Sequence, residues 1–401
     1  MKATAVAGLL LVAILTGAGL GISVGQSPTL GQTPGNESCI RYPNNPVFVA
    51  PKNDTAAQNG VSSTSVIQWQ GRYYMFYTND GNVSSIGLAT SLDGVNWTNV
   101  ESQVLGAGGA GSWDSGGVYQ PSVIWNGSEF LMYYSGYSSK TPAEIGLAVS
   151  HDLMNWTRYS GNPIVAPGPE AYDSVSLTHA SVIYDPPTYK MWYGGRFPVN
   201  YTHTIDYATS LDGIHWTKNA ANPVLTVRDF NIPSLTGPSQ PSVAKINSTY
   251  LMAIYYGGDA DLDYASSLDG IHWTVGPTHF LVSPNNTVSL DATPSYPSLL
   301  SSGTSLLLWY TRLPNNASQP TIGLAFCSLV VVENTTTTKT STLNEIQTST
   351  ISLPRATTTT SFSTIAITET SSSAPVFEGT TFAAVVVIVA LLYLLVRKQS
   401  K

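Results

Sequence analysis

Between Cys39 and Glu333 one pattern of apolar and polar positions recurs five times. A Ser-Val or Ser-Leu marker stands at Ser65-Val66, Ser122-Val123, Ser181-Val182, Ser242-Val243 and Ser298-Leu299, at spacings of 57, 59, 61 and 56 residues. An aromatic-rich run follows each marker: YYMFYT (73–78), FLMYYSG (130–136), YKMWYGG (189–195), YLMAIYYGG (250–258) and LLLWYT (306–311). A further apolar run comes next: IGLATS (86–91), IGLAVS (145–150), IDYATS (205–210), LDYASS (262–267) and IGLAFC (322–327). In four units this run leads through a turn to a tryptophan, as SLDGVNW, SHDLMNW and twice SLDGIHW. A last short run, such as NPIVAP (162–167) or NPVLTV (222–227), completes the unit. Short runs rich in β-branched and aromatic residues, punctuated by Gly, Asp, Asn and Pro, predict strands. Four strands per unit, five times over, predict an all-β, five-bladed β-propeller. Asp-Gly suits the positive φ of a tight hairpin. Trp97, Trp156, Trp216 and Trp273 are expected to bury their rings between neighbouring blades. The alternative is a set of sugar-stacking platforms, but recurrence at one position in four units favours packing.

The fifth unit stops short: after Phe326 and Cys327 there is no Asp turn, no Trp and no fourth strand. The missing piece lies at the other end of the repeat region. CIRYPNNPVFVAP (39–51) aligns with WTRYSGNPIVAPG (156–168), so that Arg41, Tyr42, Asn45 and Pro46 match Arg158, Tyr159, Asn162 and Pro163. The N-terminal segment is therefore expected to supply the outer strand of the last blade and close the ring. In this register Cys39 replaces a blade Trp and Cys327 replaces Ser150, two positions that flank one hairpin turn. A Cys39–Cys327 disulfide is favoured over two free buried thiols.

The flanking segments differ in kind. Met1 and Lys2 precede an uncharged run from Ala3 to Thr16 and a small-residue stretch to Gly25, so residues 1–25 read as a signal peptide or signal anchor. Residues 26–38 read as a linker. Residues 334–378 are dominated by Thr and Ser, with too few large apolar side chains for a core, and read as an extended stalk. Residues 379–396 are long and apolar enough for one transmembrane helix, and Arg397, Lys398 and Lys401 after it place the tail in the cytoplasm. The repeat region (39–333) then faces outwards as a single-pass, cell-membrane protein. Eleven Asn-X-Ser/Thr sequons between Asn36 and Asn334 agree with a surface glycoprotein.

Composition narrows the chemistry. Charged residues make up 10% of the chain and the net charge is −7, which argues against a nucleic-acid partner needing a basic face. Two cysteines cannot form a four-thiolate zinc site. No metal spacing, phosphate loop or Ser-His-Asp arrangement stands out. What replaces charge is aromatic and hydroxyl surface, suited to sugars.

The five blades, the SHDLMNW and SLDGIHW turns and the repeated Pro-Ser-Val strands together resemble the five-bladed glycosidase propellers, the arabinanase- and invertase-like group of glycoside hydrolase families 43, 32 and 130. The resemblance covers the whole repeat region and implies an axial site where carboxylates begin the inner strands. Family 43 typically has an Asp before the first such strand and a Glu before the fourth; here the nearest residues are Ser63 and Ser239. The inner rim reads instead as Thr64, Gln120, His179, Gln240 and Tyr296, hydrogen-bonding groups and a stacking ring. That departure counts against family-43 hydrolysis.

Candidate residues follow from the same frame. Asp114 and Asp173 stand at matching places before two inner strands, which suits a repeated structural carboxylate, with a general acid as the alternative. The variable loops on that face add Asp80, Asp229, Asp259, Asp261 and Asp291. A family-130-like phosphorylase needs an acid beside cationic groups, for which His179, Arg196 and Arg312 are candidates; blade-end ion pairs explain the two arginines equally well. Ligand contacts are expected from Gln120, His179, Arg196, Gln240, Tyr296 and Arg312. No cofactor is implied, apart from the axial calcium that some such propellers hold. The expected partner is a glycan or surface glycoprotein, bound by a monomeric ectodomain. Two functions stand side by side: a glycan-binding propeller, and an active glycoside hydrolase or phosphorylase.

Overall fold

The computed structural model of this chain describes residues 38–198, 202–230, 236–256, 261–276, 280–282, 292–302, 305–314 and 319–328. The expected signal segment, the linker except its last residue, the stalk, the transmembrane helix and the basic tail lie outside the described residues, among which no helix is long and apolar enough to cross a membrane.

After strand β1 (Ser38–Arg41) come four sheets of four antiparallel strands. Blade 1 is β2 (Val61–Trp69), β3 (Arg72–Asn79), β4 (Ser85–Ser91) and β5 (Thr98–Leu105). Blade 2 is β6 (Gly117–Trp125), β7 (Phe130–Tyr137), β8 (Glu144–Ser150) and β9 (Thr157–Arg158). Blade 3 is β10 (Leu177–Asp185), β11 (Thr188–Arg196), β12 (His203–Ser210) and β13 (Thr217–Lys218). Blade 4 is β14 (Pro238–Ile246), β15 (Thr249–Tyr256), β16 (Asp261–Ser267) and β17 (Thr274–Val275). Blade 5 takes β19 (Ala292–Ser302), β20 (Ser305–Pro314) and β21 (Thr321–Ser328), then β1, with β18 (Leu281–Val282) running parallel along β1. The first strand of each blade touches that of the next, β2 to β6 to β10 to β14 to β19 and back to β2, which closes the propeller.

The Ser-Val marker now has a mechanism. Each marker hydroxyl accepts a hydrogen bond from the marker amide of the following blade. Ser65 Oγ takes Val123 N–H (2.9 Å), Ser122 takes Val182 (3.1 Å), Ser181 takes Val243 (2.9 Å), Ser242 takes Leu299 (2.8 Å) and Ser298 takes Val66 (3.2 Å). The five bonds form a closed circuit, and each satisfies an inner-edge amide that its own sheet leaves unpaired.

Farther out, the blades are joined by aromatic contacts. Trp97, Trp156, Trp216 and Trp273 meet Trp309, Phe76, Tyr133 and Trp192 of the preceding blade edge to face, with centroids 6.1, 5.5, 5.7 and 6.0 Å apart. Each indole N–H donates to its own turn, to the carbonyls of Gly94, Leu153, Gly213 and Gly270. That turn residue has positive φ in every case, and blade 2 alone holds it with a side chain, Leu153 at 67°. The tryptophans are packing residues.

At the fifth position the packing changes on both sides of the interface. Cys39 pairs with Cys327 in register and the two form a disulfide across 288 residues. The facing position on blade 4, aromatic in the other four blades, is Ala253, and it packs in one cluster with both cysteines. The Asn-Pro match is borne out as well. The side-chain amides of Asn45 and Asn162 pair with both backbone groups of Leu324 and Leu147, as an extra strand residue would.

A disulfide that closes so long a loop stabilises the fold by at most roughly 5–6 kcal/mol in the chain-entropy model. Replacing Cys39 and Cys327 together by Ala is expected to lower the denaturation midpoint markedly, with reduction of the wild-type protein reproducing the loss. Equal midpoints for the oxidised and reduced protein would show that blade 5 holds without the bond.

Candidate functional site

The chain bends towards the axis at one place in each inner strand. A β-bulge interrupts pairing between Ser62 and Ser65, Tyr119 and Ser122, Thr178 and Ser181, Ser239 and Ser242, and Ser295 and Ser298. The residue after each first position has left-handed backbone: Ser63 (φ 46°), Gln120 (57°), His179 (55°), Gln240 (56°) and Tyr296 (47°). Non-glycine residues in this region carry strain of order 1–3 kcal/mol and persist where surrounding bonds hold them. The rim therefore contains Ser63, not Thr64 as the sequence suggested. Thr64 occupies the next position, equivalent to Pro121, Ala180, Pro241 and Pro297. These ten residues enclose a constriction of about 30 Å³.

Much of the rim is tied into the scaffold. Gln120 Oε1 accepts from Ser135 Oγ (2.9 Å) and from the His179 amide (3.1 Å), and Gln240 Oε1 accepts from the Tyr296 amide (2.7 Å). The carbonyl ends of both glutamines thus link neighbouring blades, leaving their NH₂ groups for a ligand. The rings of His179 and Tyr296 stack across the axis with centroids 5.2 Å apart and planes 24° from parallel. His179 Nδ1 lies 2.8 Å from Thr178 Oγ1, while Nε2 is buried without a protein partner. Burial, and then the nearby His203, push the imidazole down to about 3, so it is neutral at physiological pH.

Around this pair gather groups from blades 1 to 4. Asp80 follows β3 and accepts from Ser62 Oγ at 3.0 Å. Burial drives its carboxyl up to about 6 despite that bond. The Tyr296 phenol is raised by burial first, then by Asp80 and Tyr255, which places these side chains in one electrostatic neighbourhood. Tyr119 meets Tyr137 edge to face at 5.8 Å, and burial followed by Tyr137 and Tyr296 raises its phenol. On blade 3, Arg196 pairs in register with His203. Burial, then the Arg196 charge, lowers the His203 imidazole. His179, Arg196 and His203 are thus brought together. Arg312 stands on blade 5, its Nη1 donating to Thr321 Oγ1 at 3.4 Å.

The two candidate acids sit elsewhere. Asp114 is buried, accepting from Arg158 Nε (2.8 Å), Ser112 Oγ (2.9 Å) and Tyr134 OH (3.2 Å). Asp173 is buried against Lys218 Nζ at 2.5 Å. Arg158 and Lys218 are matching residues of the outer strands β9 and β13, so both aspartates anchor an outer strand within its own blade. Asp229 is likewise occupied, as a capping partner of Thr226. Asp259, Asp291 and the side chain of Asp261 lie outside the described residues. Sequence reasoning underrated Asp80 and passed over His203, Tyr119 and Tyr255; no local pattern marks them as site residues, and only the closing of the ring brings them together. Among the described residues no group of three or more His, Cys, Asp or Glu side chains is placed to hold a metal ion.

The raised Asp80 carboxyl gives a pH dependence of definite sign. The folded state holds this proton more tightly than the unfolded chain. Its favourable contribution is therefore complete below about pH 4 and is lost as pH rises through about 6. Asp80→Asn should reduce the fall in stability between pH 4 and 7 by about 1–3 kcal/mol, read from denaturant unfolding at both ends of the range. An unchanged fall would place the Asp80 carboxyl in water.

Comparison with known proteins places this geometry. The family model for β-1,4-mannooligosaccharide phosphorylase, glycoside hydrolase family 130, matches residues 44–183. Two uncharacterized proteins of Mycobacterium tuberculosis, from strains CDC 1551 and H37Rv, are each 32% identical over 180 residues, 42% of this chain. The chain spans 58% of the length of these curated relatives. Among solved structures, a family 117 glycoside hydrolase from the marine bacterium Zobellia galactanivorans superposes with a TM-score of 0.56 at 15% identity, covering 73% of this chain and 90% of its own. A thermostable family-43 glycoside hydrolase gives 0.52 at 18% identity, covering 69% and 91%. A structure from family 130, whose mannoside phosphorylases include glycoside hydrolases that target β-1,2 mannosidic linkages in Candida mannan, gives 0.51 at 14% identity, covering 74% and 95%. The chain is thus a five-bladed propeller similar in fold to these glycoside hydrolases, the group its repeats resemble.

Proposed function

We propose that this chain is a cell-surface carbohydrate-binding propeller whose axial funnel receives the end of an extracellular glycan. The observation that carries this reading is the identity of the five rim residues. Where the chain bends to the axis it presents Ser63, Gln120, His179, Gln240 and Tyr296, donors, acceptors and ring faces without a carboxylate among them. Amide NH₂ groups and the Nε2 of a neutral histidine suit sugar hydroxyls, and the Tyr119 and Tyr296 rings suit the apolar face of a pyranose. The apolar amino-terminal segment, the Thr/Ser-rich stretch and the apolar run before the basic tail support a tethered, outward-facing location.

Asp80 favours a second reading. A carboxyl raised to about 6 near the rim has the proton affinity of a general acid. The Arg196 guanidinium, paired in register with His203 beside His179, attracts phosphate. Together they suit a phosphorylase acting on an extracellular oligosaccharide, with Asp80 protonating the glycosidic oxygen as it leaves and a phosphate held by Arg196 bonding to the anomeric carbon.

The test is a glycan array probed with the full chain, paired with an assay for released sugar and sugar phosphate, with and without inorganic phosphate. Retention of a glycan without turnover is expected, with Tyr296→Ala weakening it about five- to tenfold, the loss of one stacking contact of ~1–1.5 kcal/mol. Phosphate-dependent turnover abolished in Asp80→Asn would establish the second reading instead. A glycan retained equally well by Tyr296→Ala would place binding outside the funnel.

A further inference from the structure

A cavity lies on the axis beyond the constriction, towards the face opposite the funnel. It measures about 410 Å³, within the ~300–1,000 Å³ range of small-ligand sites. Its wall follows the inner strands past each marker serine. At the first position after the serine stand Val66, Val123, Val182, Val243 and Leu299. At the second stand Ile67, Ile124, Ile183, Ala244 and Leu300. Both rings are uniformly aliphatic, as packing between equivalent blades requires. The third ring breaks the rule: Gln68, Trp125, Tyr184, Lys245 and Ser301, five chemistries in five equivalent places, none of them fully buried. A requirement of the scaffold alone would repeat from blade to blade. The same heterogeneity marks the funnel rim.

The ring is firmly supported. Trp125 packs against Trp69 and Phe130, each with centroids 4.6 Å away. The Lys245 ammonium donates to Asp185 Oδ1 at 2.7 Å, while Lys190 Nζ reaches Asp185 Oδ2 at 3.1 Å. The Tyr250 hydroxyl also donates to Asp185. Two ammonium groups share one carboxylate, so this cluster carries one positive charge, and Lys245 brings it to the cavity. An aliphatic sleeve, an indole and a phenol ring, one ammonium, one amide and one hydroxyl match a pyranose ring bearing a carboxylate. In that fit the C–H face would lie on the aromatic side, with the carboxylate at Lys245 and ring hydroxyls at Gln68 and Ser301.

We propose that this cavity is a second ligand site, separate from the funnel, and that it binds an acidic sugar residue through the ring of Gln68, Trp125, Tyr184, Lys245 and Ser301. The proposal does not depend on what the funnel does. It is tested by saturation-transfer NMR of the full chain in detergent, titrated with D-glucuronate and, separately, with D-glucose. Glucuronate should bind at least tenfold more tightly than glucose. Lys245→Met, which keeps the aliphatic stem, should bring the two sugars to equal affinity, and Trp125→Ala should abolish both signals. Gln68→Ala, at an exposed position outside the ion-pair cluster, should weaken glucuronate severalfold in a protein whose unfolding is unchanged. This variant keeps the test decisive if the others fold poorly. Absence of glucuronate binding, equal binding of glucose, or glucuronate affinity unmoved by Lys245→Met or Gln68→Ala would overturn the proposal.

Discussion

Every other feature of this molecule depends on a circuit of five hydrogen bonds, each from a marker amide to the serine hydroxyl of the blade before it. An inner strand at the edge of a radial sheet has amides with no partner in its own blade, and burying them unpaired costs about 1–3 kcal/mol apiece. The neighbouring serine supplies the acceptor, and the arrangement is complete only when blade 5 returns to blade 1 through Ser298 and Val66. A circuit has no free end, and β1 with the Cys39–Cys327 bond supports the blade that completes it.

That constraint explains what the sequence reveals. A requirement repeated five times leaves five copies of the same residue, and the marker serines and turn tryptophans are visible for that reason. The exception is legible too, since Cys39 falls where a tryptophan belongs and Ala253 opposite it marks the same change of packing. Blade 1 is where the register slips. Its SSTSV run lacks the proline or alanine that precedes the marker elsewhere, and whether Ser63 or Thr64 turns to the axis depends on a bulge that only backbone φ reveals.

The site was legible in outline and opaque in its energetics. Gln120 and Gln240 are rim residues, yet their carbonyl oxygens bind the next blade, a use that no local motif betrays. Asp114 and Asp173 find Arg158 and Lys218 only because outer strands fold back along their own blade, more than forty residues later. Asp80 draws its proton affinity from burial in the folded ring, which no single segment encodes. Where the five blades differ, at the funnel rim and again at the ring of Gln68, Trp125, Tyr184, Lys245 and Ser301, the scaffold no longer dictates the residue. One fold thereby offers two asymmetric openings on a nearly symmetric frame.

The central claim, that the inter-blade circuit opens only when the whole propeller unfolds, is tested most directly by native-state hydrogen exchange at the amides of Val66, Val123, Val182, Val243 and Leu299. With the disulfide intact, all five should exchange together, at the free energy of global unfolding. Earlier exchange at Val66 and Leu299, with the other three still protected, would mean that blade 5 detaches by itself and that the ring is not the unit of stability.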